Sequence, residues 1–199
     1  KNAEQTMGGT LNTYLWPDVE TEKLGLFFEK DMNNISYGFR YDQVELDPKK
    51  ANVDTGGGMM QRSANQVYAM AANGGYASAT KREFDNISGF LRFNNIMNGS
   101  SYLSLSINER APDATELFNA KQNSSAMMRH VGNPHLSSER HMTIELGHDG
   151  MIFGNHVRGS VFYNDVNDYV TTHRVADAAM GTRTSVSYTH LRAHETSEY

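Results

Sequence analysis

Ile35-Ser36-Tyr37-Gly38-Phe39-Arg40-Tyr41-Asp42 decides the fold, because apolar and polar residues alternate through it with period two. Successive side chains of a β-strand point to opposite faces, so Ile35, Tyr37, Phe39 and Tyr41 share one face and Ser36, Gly38, Arg40 and Asp42 the other. The same division recurs along the chain. Leu24, Leu26 and Phe28 open the series. Ile87, Leu91 and Phe93 stand against Ser88, Arg92 and Asn94, and Leu103, Leu105 and Ile107 against Tyr102, Ser104, Ser106 and Asn108. Met142, Ile144 and Leu146 alternate with His141, Thr143 and Glu145, and Val157, Val161 and Tyr163 with His156, Arg158, Ser160 and Asn164. Phe27 and Phe90 fall on the polar side, so the alternation is imperfect.

The connections between these six stretches run alternately long and short. Residues 31–34, 98–100 and 148–155 read as tight turns, and 47–86 and 111–137 as long polar excursions. A transmembrane β-barrel has this rhythm, with short turns at one rim and long loops at the other. A soluble antiparallel sheet with one buried face shows the same period, which leaves a soluble β-sandwich binding module open. Compact soluble domains rarely hold structureless loops beyond about 15 residues, and that favours the barrel.

Composition sets outer limits. The 199 residues are 38% hydrophobic, with 17 Gly, 10 Tyr and no Cys, and the mean hydropathy is −0.60. No window approaches the roughly 20 consecutive apolar residues that a membrane helix requires. A barrel needs only every second residue of a strand to face lipid, so low mean hydropathy does not count against it. The formal charge of −5 gives no reason to expect a nucleic-acid partner. Six strands close only a very small barrel, and the loops are too long for one, so the chain is expected to be part of a larger barrel.

Two motifs go beyond periodicity. Glu109-Arg110-Ala111-Pro112-Asp113-Ala114-Thr115-Glu116-Leu117-Phe118 resembles the Arg-x-Pro-x-x-x-Glu-Leu-Phe/Tyr segment of TonB-dependent outer-membrane receptors. Gly132-Asn133-Pro134-His135-Leu136-Ser137-Ser138-Glu139, followed by Glu145-Leu146-Gly147, is similar to that family's Gly-Asn-Pro-x-Leu-x-x-Glu and its next strand. The segment from Ser160 to Val170 resembles the strand after that. Ser137-Ser138 departs from the Lys-Pro that the family often has before the glutamate.

The resemblance implies an all-β, antiparallel transmembrane barrel of 22 strands, of which about six lie here, without the N-terminal plug domain. It implies outer-membrane lipid as surroundings, a Gram-negative cell outer membrane as location, and active uptake of a metal ion or metal chelate. Copper and iron-siderophore are the candidates, and the overall sequence looks closest to the copper-receptor branch. Energy would come from a TonB-type partner acting through the missing plug. No enzyme activity and no resident cofactor are implied.

Candidate ligand contacts lie in the long loops or on the polar strand face. Met127, Met128 and His130 form the densest group of thioether and imidazole donors, which suit soft, reduced copper better than hard cations. A loop Met is also a flexible filler of gaps. Arg40, Arg92 and Arg158 are placed on the lumen face, where they line the way for an anionic chelate or belong to a hydrated charge network between wall and plug. Arg110, Pro112, Glu116, Gly132, Asn133, Pro134 and Glu139 carry the family signature. They read as architectural, since proline and glycine shape turns and charges anchor loop bases.

Residues 1–184 are therefore expected to form the partial barrel. Residues 185–199 lose the alternation, and Val186-Ser187-Tyr188-Thr189-His190-Leu191-Arg192-Ala193-His194-Glu195-Thr196 resembles translated sequencing-adaptor read-through, to be left out of fold reasoning. Other function classes remain: a passive porin or barrel adhesin, or an outer-membrane enzyme. Against the enzyme, no spacing resembles an activated nucleophile elbow or another catalytic motif.

Overall fold

A computed structural model describes residues 3–7, 10–53, 62–69, 76, 78–96, 101–121, 130–177 and 181–198. All six alternating stretches form strands, β3 (Val19–Met32), β4 (Ile35–Pro48), β5 (Arg82–Asn95), β6 (Ser101–Arg110), β9 (Glu139–Ile152) and β10 (Asn155–Asp177). They pair antiparallel in that order as one meander. β11 (Gly181–Glu198) runs antiparallel along β10. The two-residue strands β7 (Ala120–Lys121) and β8 (His130–Val131) pair with each other, and β8 lies parallel to β11 at Thr184 and Ser185. β1 (Ala3–Met7) and β2 (Thr10–Trp16) form a separate hairpin.

Register carries the alternation from single strands to a whole surface. Phe28 faces Phe39, which faces Gly89 and then, through Ile107, Met142. Leu91, Leu105, Ile144 and Tyr163 form the neighbouring row. Every apolar set named above thus falls on one face of one sheet. That face is not covered: Leu24, Leu26, Phe28, Phe39, Met142, Ile144, Leu146 and Val161 are all exposed, Leu26 at 66%. Burial of apolar surface stabilises by about 25 cal/mol per Å², so water is the wrong solvent for this face and lipid the right one. A β-sandwich would have covered it with a second sheet.

The polar upper edge of the apolar band steps diagonally, through Glu22, Gln43, Asp85, Glu109, Arg140 and Asp165 on successive strands. Followed through the register, it slips about six residues over the six strands. At about 3.4 Å per residue and 4.8 Å between strands, that is a tilt of about 40°, the value of a membrane barrel wall. The turns at the opposite rim slip in the same direction.

These turns are tight. Asn33 and Asn34 link β3 to β4, with Asn33 at φ 31. The stretch 148–155, read as a turn, is mostly strand: Asp149, Gly150, Met151 and Ile152 pair with Arg158, Val157, His156 and Asn155. Only Phe153 (φ 49) and Gly154 (φ 78) form the turn, whose left-handed backbone matches the twist of a hairpin. The expected turn at 98–100 lies outside the described residues.

The other rim carries the connections 49–81 and 111–138, and here the molecule has its dry core. Val44, Leu46 and Phe84 point from the polar face of β4 and β5 into Val67 and Tyr68 of α1 (Ala64–Ala69), Leu117 and Phe118 of α2 (Ala114–Phe118), and Leu136. The described parts of the long connections therefore fold over the inner face at one end of the wall, leaving the rest of that face mostly polar, with Phe27 and Phe90 as exceptions.

Candidate functional site

The inner face between the rims is a surface of engaged polar groups. Arg40 donates to Asp42 through Nε and, at 2.8 Å, through Nη2. Arg92 donates to Asn94 Oδ1 at 2.9 Å and stacks 3.8 Å above the Tyr102 ring. Tyr102 donates its hydroxyl to Glu145 at 2.6 Å. Arg158 donates to Asp149 at 2.9 and 2.6 Å near the turn rim. All three candidate arginines stand on this face, but the register separates them. Arg40 faces Ser88 and Arg92 faces Ser36, about 13 Å apart along the strand.

Large rings on this face lie over glycines. A Cβ on Gly38 would sit 2.5 Å from the Phe90 ring, and one on Gly147 would sit 2.3 Å from the Tyr102 ring. Phe90 is thus laid flat across the neighbouring strand. Phe27, the other aromatic out of pattern, is 80% exposed.

At the loop rim the seven signature residues converge. Arg110 donates to both carboxylate oxygens of Glu116, at 2.9 and 3.2 Å, and to Glu139 Oε2 at 2.8 Å. Glu139 is 5% exposed and also pairs with His141 Nε2 and accepts the Val170 N–H from β10 at 3.3 Å. Burial alone would raise the Glu139 carboxyl pKa, but Arg110, His141 and Val170 outweigh it and hold the value below the ordinary one. The Arg110 guanidinium is pushed up, chiefly by Glu116.

The helix that carries Glu116 is built for this position. Asp113 caps α2, accepting the Thr115 and Glu116 N–H groups at 2.6 and 2.8 Å, while Glu116 Oε2 accepts the Asp113 N–H at 2.8 Å. This capping box satisfies N–H groups that a helix start leaves open. Glu116 therefore serves the helix and Arg110 at once.

The return segment closes onto the helix. Gly132 N–H donates to Asn119 O at 2.7 Å and Asn133 N–H to Glu116 O at 2.9 Å. A Cβ on Gly132 would lie 2.7 Å from the Leu117 carbonyl, an approach that only glycine allows. Asn133 Oδ1 accepts the His135 N–H at 2.9 Å, and Pro112 and Pro134 are fully buried. The two connections are also locked together by the Tyr68 hydroxyl, which donates to Phe118 O at 2.8 Å, and Arg82 at the start of β5 ties the second to the wall, its Nη2 donating to Leu136 O at 3.0 Å. Burial pushes the Tyr68 phenol up, so it stays a donor.

Met127 and Met128 lie outside the described residues. His130 opposes Lys121 in the β7–β8 pair, and its side chain is not described. Among the described residues, no three His, Asp or Glu side chains converge to hold a metal ion.

The family described as TonB dependent receptor-like, beta-barrel matches residues 2–192. The chain belongs to this family. No curated protein matches the chain. Among solved structures it is similar in fold to "Copper transporter OprC", with a TM-score of 0.60 and 19% identity over 90% of this chain. The chain spans about a quarter (26%) of that structure's length.

In this TonB-dependent receptor barrel, sequence reasoning named the clasp residues but missed several partners. Asp113, three residues before Glu116, carries a legible capping-box signal. His141 looked like one more polar-face residue. Tyr68 gave no local signal, because its acceptor lies 50 residues away.

Proposed function

We propose that this chain is part of the wall of an outer-membrane active-transport receptor in a Gram-negative bacterium, one that imports a metal ion or metal chelate with energy from the TonB system. The family match across residues 2–192 carries the reading. The tilted wall, with a lipid-compatible outer face, a polar inner face and braced loops at one rim, supports it. Such a receptor moves its ligand unchanged, so none of these residues needs a catalytic role. The full barrel of 22 strands, the plug and its contact with the energising protein belong to sequence beyond this chain.

Copper is the ligand we favour over an iron-siderophore. The similar solved structure bears the name of a copper transporter, and Met127, Met128 and His130 supply donors that suit reduced copper. Arg40, Arg92 and Arg158 are the alternative contacts, for an anionic chelate passing the inner face. The test is copper uptake by cells carrying the full-length gene, read by elemental mass spectrometry, beside the triple variant Met127→Ala, Met128→Ala, His130→Ala. Saturable uptake that the triple variant loses is expected. Unchanged copper content on deleting the gene, with loss of ferric-chelate uptake instead, would overturn the copper reading.

A further inference from the structure

The lipid-facing band is not uniformly convex. It contains an open groove of about 560 Å³ running across β5, β6, β9 and β10, lined by Gly89, Leu91, Leu105, Ile107, Met142 and Ile144. Its cause lies in the sequence. Gly89 takes a position on the lipid-facing row between Phe39 and Ile107 where the alternation calls for a large side chain. The ladder also gives way here. Beyond Gly89 and Ile107 the β5–β6 backbone pairing stops. Ile87 N–H instead donates to the Glu109 carboxylate at 2.9 Å and Glu109 N–H to Ser88 Oγ at 3.3 Å. Side chains thus hold the two strands where backbone bonds have ended, and a depression is left on the outer surface beside them.

We propose that this groove seats one acyl chain of a membrane lipid from the leaflet on the loop side. Continuity commits it to that occupant: the groove lies inside the apolar band, in the half toward the polar boundary marked by Asp85, Glu109, Arg140 and Asp165, the last of which lines it. Its volume is that of a small-molecule site. Between lipid and barrel no hydrophobic force discriminates, so selectivity comes from packing. A chain lying in the groove gains on the order of ten extra carbon contacts over one on a convex wall, enough for a preference of about tenfold.

The experiment uses the full-length receptor in phosphatidylethanolamine nanodiscs doped with a phospholipid bearing a photoreactive diazirine on one acyl chain. Adducts are mapped by peptide mass spectrometry. Labelling of the peptides containing Leu105, Ile107, Met142 and Ile144 should exceed that of the equally lipid-facing peptides with Leu24 and Leu26 by about tenfold. Gly89→Leu should abolish the excess. Because its Cβ would lie 3.0 Å from Gly38 O, Ile144→Trp fills the groove from the other side without pressing on backbone. Heat-modifiable gel mobility confirms that either variant is folded. Even labelling along the band, or excess labelling that survives in folded Ile144→Trp, would each overturn the proposal. None of these outcomes depends on which ligand the receptor imports.

Discussion

Replacing Glu139 with alanine should open the loop rim and leave the barrel wall intact. The residue is 5% exposed, and its carboxylate receives donors from three strands, through Arg110 on β6, His141 on β9 itself and the Val170 N–H on β10. Removing one member of a buried ion pair typically costs about 3–5 kcal/mol because the other charge is stranded. Arg110 is not stranded. Its side chain is 48% exposed and keeps Glu116, so the loss of that pair is screened. What remains is chiefly the unpaired Val170 N–H and the lost charge-assisted bond, together about 2 kcal/mol. A local opening energy lowered by about 2 kcal/mol speeds amide exchange about thirtyfold. The reporters are the Gly132 and Asn133 amides, whose acceptors are Asn119 O and Glu116 O. Hydrogen exchange of the intact receptor should show that acceleration there, with Leu105 and Ile144 amides in the wall unchanged. Equal acceleration in wall and rim, or none at Gly132 and Asn133, would refute the idea that Glu139 pins the return segment locally.

The same clasp should weaken in acid. The folded Glu139 carboxyl sits below its ordinary value, so its contribution is complete above that ordinary value and is lost as pH falls through the lowered folded one. Exchange at Gly132 and Asn133, corrected for the intrinsic rate, should therefore stay flat from neutral pH down to about 5 and rise below about 4. Flat behaviour down to pH 2 would contradict it. Gly132→Ala should cost about 1–3 kcal/mol, because the clash is with the Leu117 and Glu116 carbonyls and no side-chain rotation relieves it; proteolysis between 111 and 138 should quicken. Tyr68→Phe leaves the buried Phe118 carbonyl without its donor, at about 1–3 kcal/mol. Both connections, 49–81 and 111–138, should then exchange faster together, and acceleration of only one would deny their coupling. We propose that 185–199, although paired here within β11, is read-through, so sequencing the source locus should replace it with a strand of clear period-two alternation. The native codons running unchanged through Tyr199 would sink the read-through reading.

Alternation was legible because it belongs to each strand alone. Ile35 to Asp42 need no partner to show their two faces, and six such stretches in alternating rhythm were enough for a membrane wall. Tilt and register were not legible, since they follow from which residue meets which: nothing in the sequence alone says that Glu109 stands beside Arg140. The turn at 148–155 was misjudged for a local reason. Gly150, Gly154 and Asn155 read as loop residues, yet Gly150 pairs with Val157 and only Phe153 and Gly154 leave the ladder. A bulky Phe at φ 49 is a costly choice for a turn, and composition gave no sign of it.

The candidate site divides along the same line. The signature residues were readable as architecture because proline, glycine and cap chemistry act over short distances. Their union is a long-range event, with Arg110 and Glu139 29 residues apart. The inner-face arginines show the converse. Sequence placed them on the polar face, but only the fold shows what each one already holds. Arg40 and Arg158 are each matched to a carboxylate, so an anionic chelate reaching either must first displace Asp42 or Asp149. Arg92 is held instead by an amide and a ring, Asn94 and Tyr102. If an anion tracks along this wall, the least competition from the protein's own charges is at Arg92. Electrostatic matching within the wall, more than the count of arginines on it, decides where such a ligand would pause.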